Sequence, residues 1–147
     1  MVGRSIMTQI QPYSLWIGHA GEARDYERIA DAGIEALVNL AAEEKCDQPP
    51  RELLYLRFPL IDGIGNRSGW LDLAVTSVAN LLRLRVPTLV YCGAGRSQSP
   101  VIAASALAVA FRENPEDCLR RVVSQHPSDV SPGFWDEVKV VLDRKAR

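Results

Sequence analysis

No run of apolar residues in this chain is long enough to cross a bilayer, and its first residues hold no signal-like apolar core. A membrane-spanning protein is therefore excluded, no membrane partner is expected, and a cytoplasmic setting is. Neither sign of charge dominates: 17 Lys and Arg stand against 18 Asp and Glu, for a net charge of -1. Such a balance excludes a global basic surface for nucleic acid. Cysteine is scarce. Cys46, Cys92 and Cys118 lie too far apart for a disulfide framework or a metal-ligand cluster, so no metal and no cofactor are expected and a reduced compartment fits. Repeats, low-complexity tracts and internal linkers are also missing. What remains is a 147-residue chain, long enough for a proper core, in which hydrophobic residues at 47% and charged residues at 24% match a soluble globular protein. One domain over residues 1–147 is expected.

Short apolar strands alternate with helical patterns. Strands are expected at 14–17, 36–40, 53–58 and Thr88–Cys92, and helices at 22–32, 70–84, 99–112, 115–124 and 132–144. Gly33 suits the C-terminal stop of the first helix, and three glycines with Asn66 and Ser68 make 62–69 a loop. The alternation predicts an α/β fold with a central, mostly parallel sheet flanked by helices. Ligands of such folds bind beyond the carboxyl ends of the strands, where both Cys92 and the loop starting at Asp62 are expected.

The chemistry concentrates in Tyr91-Cys92-Gly93-Ala94-Gly95-Arg96-Ser97-Gln98-Ser99-Pro100. The strand before it, the short glycine-containing loop and the helix after it together suit an anion. Successive backbone N–H groups form a concave nest, and the helix end adds partial positive charge. The same field favours thiolate over thiol, which makes Cys92 a candidate nucleophile, with phosphate monoesters as the natural substrates. A buried structural cysteine is the plainer alternative. That plainer reading is adopted for Cys118, on one helical side with Val122, and for Cys46, among charges and prolines.

These residues resemble the signature of the cysteine-dependent tyrosine and dual-specificity phosphatases, His-Cys-x-x-Gly-x-x-Arg-Ser/Thr. Cys92, Gly95 and Ser99 match it, and Pro100 follows as it often does in the dual-specificity branch. Tyr91 stands in place of the histidine and Gln98 in place of the arginine. Leu15-Trp16-Ile17-Gly18, then residues 31–40, Phe58-Pro59-Leu60-Ile61-Asp62-Gly63 and Ser131-Pro132-Gly133-Phe134-Trp135 are similar to the rest of a small dual-specificity phosphatase domain, in the same order.

The resemblance implies that Cys92 attacks phosphorus and that Asp62 protonates the leaving oxygen and then activates water. It also implies that the Ser99 hydroxyl hydrogen-bonds the thiolate, while Gly93, Ala94, Gly95, Arg96, Ser97 and Gln98 line the phosphate. Read without it, Asp62 is an Asp-Gly turn residue and Ser99 a helix N-cap before Pro100. Glutamine at 98 donates neutral hydrogen bonds where an arginine would give a charged bidentate fork. Losing a transition-state contact of that kind costs about 10²–10³ in rate. Arg96 is expected on the rim, and Arg67 is the other nearby cation; both also read as solvated surface charges. His19 and His126 carry no sequence context for catalysis, and the three tryptophans read as core or core-edge aromatics.

Three functions follow. One is a phosphatase acting on a phosphorylated protein or small phosphomonoester, weakened at Gln98. Another is a catalytically inactive module that holds phosphorylated ligands or partners. A third is thiol chemistry at the same loop.

Overall fold

A computed structural model of the chain describes residues 7–146. Strands β2 (Leu15–His19), β3 (Ala36–Ala41), β4 (Leu54–Leu60) and β5 (Thr88–Cys92) run parallel, and β1 (Thr8–Gln9) joins one edge antiparallel to β2. The sheet order is β1-β2-β5-β3-β4. Every residue of β3 and β5 is buried, as expected of central parallel strands covered on both faces. Period-two alternation then sorts their side chains. Val38, Leu40, Val90 and Cys92 enter one core with helices α3 (Ser68–Arg83), α4 (Gln98–Phe111), α5 (Pro115–Gln125) and α6 (Pro132–Lys145). Leu37, Leu89 and Tyr91 enter a smaller core under α1 (Ala20–Ala23) and α2 (Tyr26–Asp31).

Several boundaries differ from the sequence expectation for local reasons. The helix expected over 22–32 is two helices. Asp25 breaks it, because its carboxylate accepts from Arg28 N–H and caps a new first turn. Gly33, at φ +76°, closes the second as expected. β4 runs on through Pro59, which an edge strand tolerates because one row of its amides needs no partner. The short β1 carried no alternation to read. Ser68 and Gly69, placed in the loop by composition, form the first turn of α3.

The parallel strands bring the ends of β2, β4 and β5 to one side. His19 lies opposite Cys92 in the β2–β5 register, and Asp62 follows two residues after β4.

Candidate active site

Residues 93–97 connect β5 to α4. Gly95 sits at φ +71°, and a Cβ there would lie 2.6 Å from the Gly18 carbonyl oxygen, so both conformation and space require glycine. Three loop carbonyls are engaged from outside. Gly93 O accepts from Ala20 N–H at 3.4 Å, Gly95 O meets His126 Nε2 at 2.7 Å, and Arg96 O accepts from Asp129 N–H at 2.7 Å. Ser97 O accepts from Val101 N–H within the first turn of α4. A trans peptide is planar, so turning each carbonyl outward turns the next N–H the other way. The N–H groups of Ala94, Arg96 and Ser97 donate to no other described residue. They join the free N–H groups at the start of the 14-residue α4. Cys92 lies beneath them at 3% exposure.

Gln98, 3% exposed, turns away from this loop. Its Nε2 donates to Leu60 O at 2.6 Å and to Leu40 O at 3.3 Å, bracing the ends of β4 and β3 against α4. Both amide hydrogens are therefore held by backbone. Ser99 is not the N-cap, a correction to the sequence reading. Ser97 occupies that position, and Ser99 lies inside the first turn because helical geometry begins one residue earlier, at Gln98. Its hydroxyl is buried and makes no hydrogen bond among the described residues.

Asp62 is exposed, yet it is tied to the loop. Ser97 Oγ donates to Asp62 Oδ1 at 2.7 Å and accepts from Ser131 N–H at 2.9 Å. One hydroxyl thus joins the 92–99 loop, the segment after β4 and the start of α6. The Asp62 segment is itself built. Asn66 accepts from Ile61 N–H at 2.7 Å and donates to the carbonyls of Ile61 and Gly63. On α6, the Glu137 carboxylate accepts from Gly65 N–H at 2.7 Å, Asn66 N–H at 3.2 Å and Asn66 Nδ2 at 3.0 Å. Burial pushes the Glu137 carboxyl up, but these hydrogen bonds outweigh it and hold the group below the usual carboxylate range.

Around the loop, Arg96 is an exposed rim residue, and Arg67 stacks over Trp70 with 4.6 Å from guanidinium carbon to ring centroid. Tyr91 faces the opposite side of the sheet from Cys92. Its hydroxyl donates to Asp47, whose other oxygen accepts from Arg24 Nε at 2.8 Å. Burial first, and then the Asp47 bond, push the Tyr91 phenol far above its ordinary value, so it remains a donor. The segment after β3 is held down by this link, and it sets the Glu43 carboxylate against Gly93. A Cβ on Gly93 would be 2.6 Å from Glu43 Oε1. His19 caps α1 with Glu22 in a reciprocal box. Cys118 is buried, and that burial raises its thiol pKa, while Cys46 is exposed.

Sequence reasoning missed three participants, the braces Glu137 and His126 and the neighbour Glu43, and it named Ser97 without its bridging contacts to Asp62 and Ser131. The brace contacts join residues 71 apart for Glu137 with Asn66 and 31 apart for His126 with Gly95. No spacing rule reaches that far; only the Ser131-Pro132 helix start hinted that α6 abuts the site.

No helix among the described residues is long and apolar enough to cross a membrane. No protein-family model matches the chain. Over 128 residues the chain is 27% identical to human dual specificity phosphatase 28, covering 86% of this chain and 72% of the relative. The crystal structure of human DUSP28 superposes with a TM-score of 0.84 at 24% identity, over 99% of this chain and 98% of that one. A mouse protein described as a dual specificity phosphatase, crystallised with zinc tungstate, gives 0.84 at 23% identity over 98% and 91%. The human tyrosine phosphatase-like serine/threonine/tyrosine-interacting protein gives 0.80 at 18% identity over 98% and 100%.

Proposed function

We propose, for a chain that is a relative of the dual-specificity phosphatases and has their fold, that the 92–99 loop binds the phosphoryl group of a phosphomonoester and that Cys92 hydrolyses it slowly. The observation that carries this reading is the outward engagement of three loop carbonyls, those of Gly93, Gly95 and Arg96, which leaves their partner N–H groups for an anion at a helix start. A solved neighbour carries tungstate, a tetrahedral oxyanion of similar shape to phosphate.

On this reading the Cys92 thiolate attacks phosphorus. The S–P bond forms as the P–O ester bond breaks, and the leaving oxygen takes a proton from the carboxyl of Asp62. Water then attacks the phosphocysteine, gives its proton to Asp62, and releases inorganic phosphate and the thiolate. Ser97 holds Asp62 Oδ1, which leaves Oδ2 to carry the proton. Slowness follows from Gln98. Charge on the equatorial oxygens meets backbone dipoles alone, where a charged fork would add about 10²–10³ in rate. The substrate is a phosphorylated protein or a small phosphomonoester, no cofactor takes part, the whole chain acts as one domain, and the setting is cytoplasmic.

One observation favours a second reading, a module that holds phosphorylated ligands without turnover. Gln98 braces two strand ends and offers the loop no donor. Hydrolysis of p-nitrophenyl phosphate, with intact-mass detection of a phosphorylated Cys92, separates the two. Slow turnover abolished in Cys92→Ser, and reduced by about 10²–10⁴ in Asp62→Asn, supports the phosphatase. Tungstate binding with no turnover above the Cys92→Ser background selects the binding module. Failure to bind tungstate overturns both.

A further inference from the structure

The Gly95 carbonyl is held from behind by a residue that sequence reasoning set aside, and the inference drawn from it rests on the oxyanion reading of the 92–99 loop. His126 is 8% exposed. Its Nε2 lies 2.7 Å from Gly95 O and its Nδ1 lies 2.8 Å from Thr8 Oγ1. A carbonyl oxygen only accepts, so Nε2 carries a hydrogen; in the neutral ring Nδ1 then accepts from the Thr8 hydroxyl. The ring is thus gripped at both ends, with its tautomer set by its two neighbours.

Local sequence explains the aim. Pro127 follows His126, and a residue before proline is driven out of the helical region. His126 adopts φ -134° and ψ 130°, which ends α5 at Gln125 and turns the ring under the loop. Three residues on, Asp129 N–H donates to Arg96 O at 2.7 Å. One short segment therefore grips two consecutive carbonyls, and each rigid peptide plane carries the following N–H, of Arg96 and of Ser97, to the opposite side. Glycine resists peptide rotation least of all residues, so the plane after Gly95 is the one that most needs an external hold. Tyr91, the residue before Cys92, cannot supply it, because it points to the other face of the sheet and bonds Asp47.

We propose that His126 is a positioning residue that holds the peptide between Gly95 and Arg96 with its N–H turned toward a bound oxyanion. It touches neither the anion nor the reacting atoms. Its effect is on how well the cradle is formed before the anion arrives.

Sodium tungstate binding, followed by calorimetry, tests this in the full chain. His126→Ala, shown folded by circular dichroism, is expected to bind about tenfold more weakly, the equivalent of one buried hydrogen bond. His126→Gln keeps an N–H at the Nε2 position and is expected to recover binding to within about threefold of wild type, a rescue that loss of packing alone does not predict. Nitrogen NMR of the wild-type ring is expected to show the Nε2–H form. Unchanged affinity in folded His126→Ala overturns the inference alone. So does a wild-type ring in the Nδ1–H form, a result that stands even if the alanine variant does not fold. Wild-type protein that binds no tungstate overturns the oxyanion reading itself.

Discussion

Gln98 shows how a side chain that departs from a signature can also point elsewhere than the signature implies. Set against the signature, it is a missing charge facing the phosphate. In the fold it is a buried brace between Leu40 O, Leu60 O and α4, directed away from the loop. The two views predict different mutant behaviour. Gln98→Met keeps the length and removes the donors that Leu40 O and Leu60 O share, leaving Leu60 O only its longer bond from Ala42 N–H at 3.3 Å. Unfolding in urea should show a loss of about 1–3 kcal/mol, while tungstate affinity stays close to wild type. Gln98→Arg faces a conflict. If its guanidinium takes over the two carbonyls, it adds nothing at the loop; if it turns to the anion, it deprives both of their side-chain donor. A gain in p-nitrophenyl phosphate turnover well below the roughly 10²-fold expected of a free fork is the outcome, together with a drop in stability. A full 10²-fold gain with undiminished stability would show that Gln98 has no bracing part.

At the scale of elements, the segment after β4 is a built structure pinned to α6. Glu137 receives three hydrogen bonds from Gly65 and Asn66, and Ser97 ties Asp62 to the 92–99 loop. Because these bonds to the charged carboxylate hold the Glu137 pKa below its unfolded value, they contribute stability that is complete above the ordinary glutamate range, near ~4.3. That contribution is lost as pH falls through the lower folded value. Amide hydrogen-exchange protection of residues 61–67, corrected for the intrinsic rate at each pH, should therefore fall in wild type as acid protonates Glu137 below the ordinary glutamate range. Glu137→Gln, which cannot lose a charge, should exchange faster at neutral pH and lose that acid dependence. If the two proteins share one pH profile, Glu137 does not latch this segment. With Asp62 as the acid, Glu137→Ala should also lower turnover several-fold more than it changes KM, since the bonds it removes order the acid and not the ground-state anion.

At the scale of the molecule, the candidate site is assembled from every layer. β2 supplies the carbonyl against which Gly95 packs, β5 supplies Cys92, and the segment after β4 supplies Asp62. His126 comes from the end of α5, and Ser131 opens α6. Such a site forms only when the whole fold forms, so ligand and core should be thermodynamically linked. Tungstate at about 100 times its Kd should raise the unfolding free energy by about 2.7 kcal/mol. Phe134, fully buried at the start of α6, is the place to test the other direction. Phe134→Ala should cost about 3–5 kcal/mol, and saturating tungstate should restore part of the lost melting temperature. A melting temperature indifferent to tungstate in both proteins would mean the anion does not bind the folded state preferentially.

Composition and local pattern were sufficient for the strand Thr88–Cys92, the helices that follow it and the parallel layering, because the period of apolar residues is a property of neighbours in sequence. They also located the loop between β5 and α4, since a strand end, a glycine that needs positive φ and a helix start are local demands. The break at Asp25 was equally local and was overlooked in favour of one longer helix. What only the tertiary structure decided is direction. Whether Gln98 faces the phosphate or the strand ends, which carboxylate takes the Tyr91 hydroxyl, and which histidine braces the loop depend on partners 31 to 58 residues away. Hydrogen bonds at that separation are chosen by packing, as each buried donor takes the nearest carbonyl the folded layers bring to it.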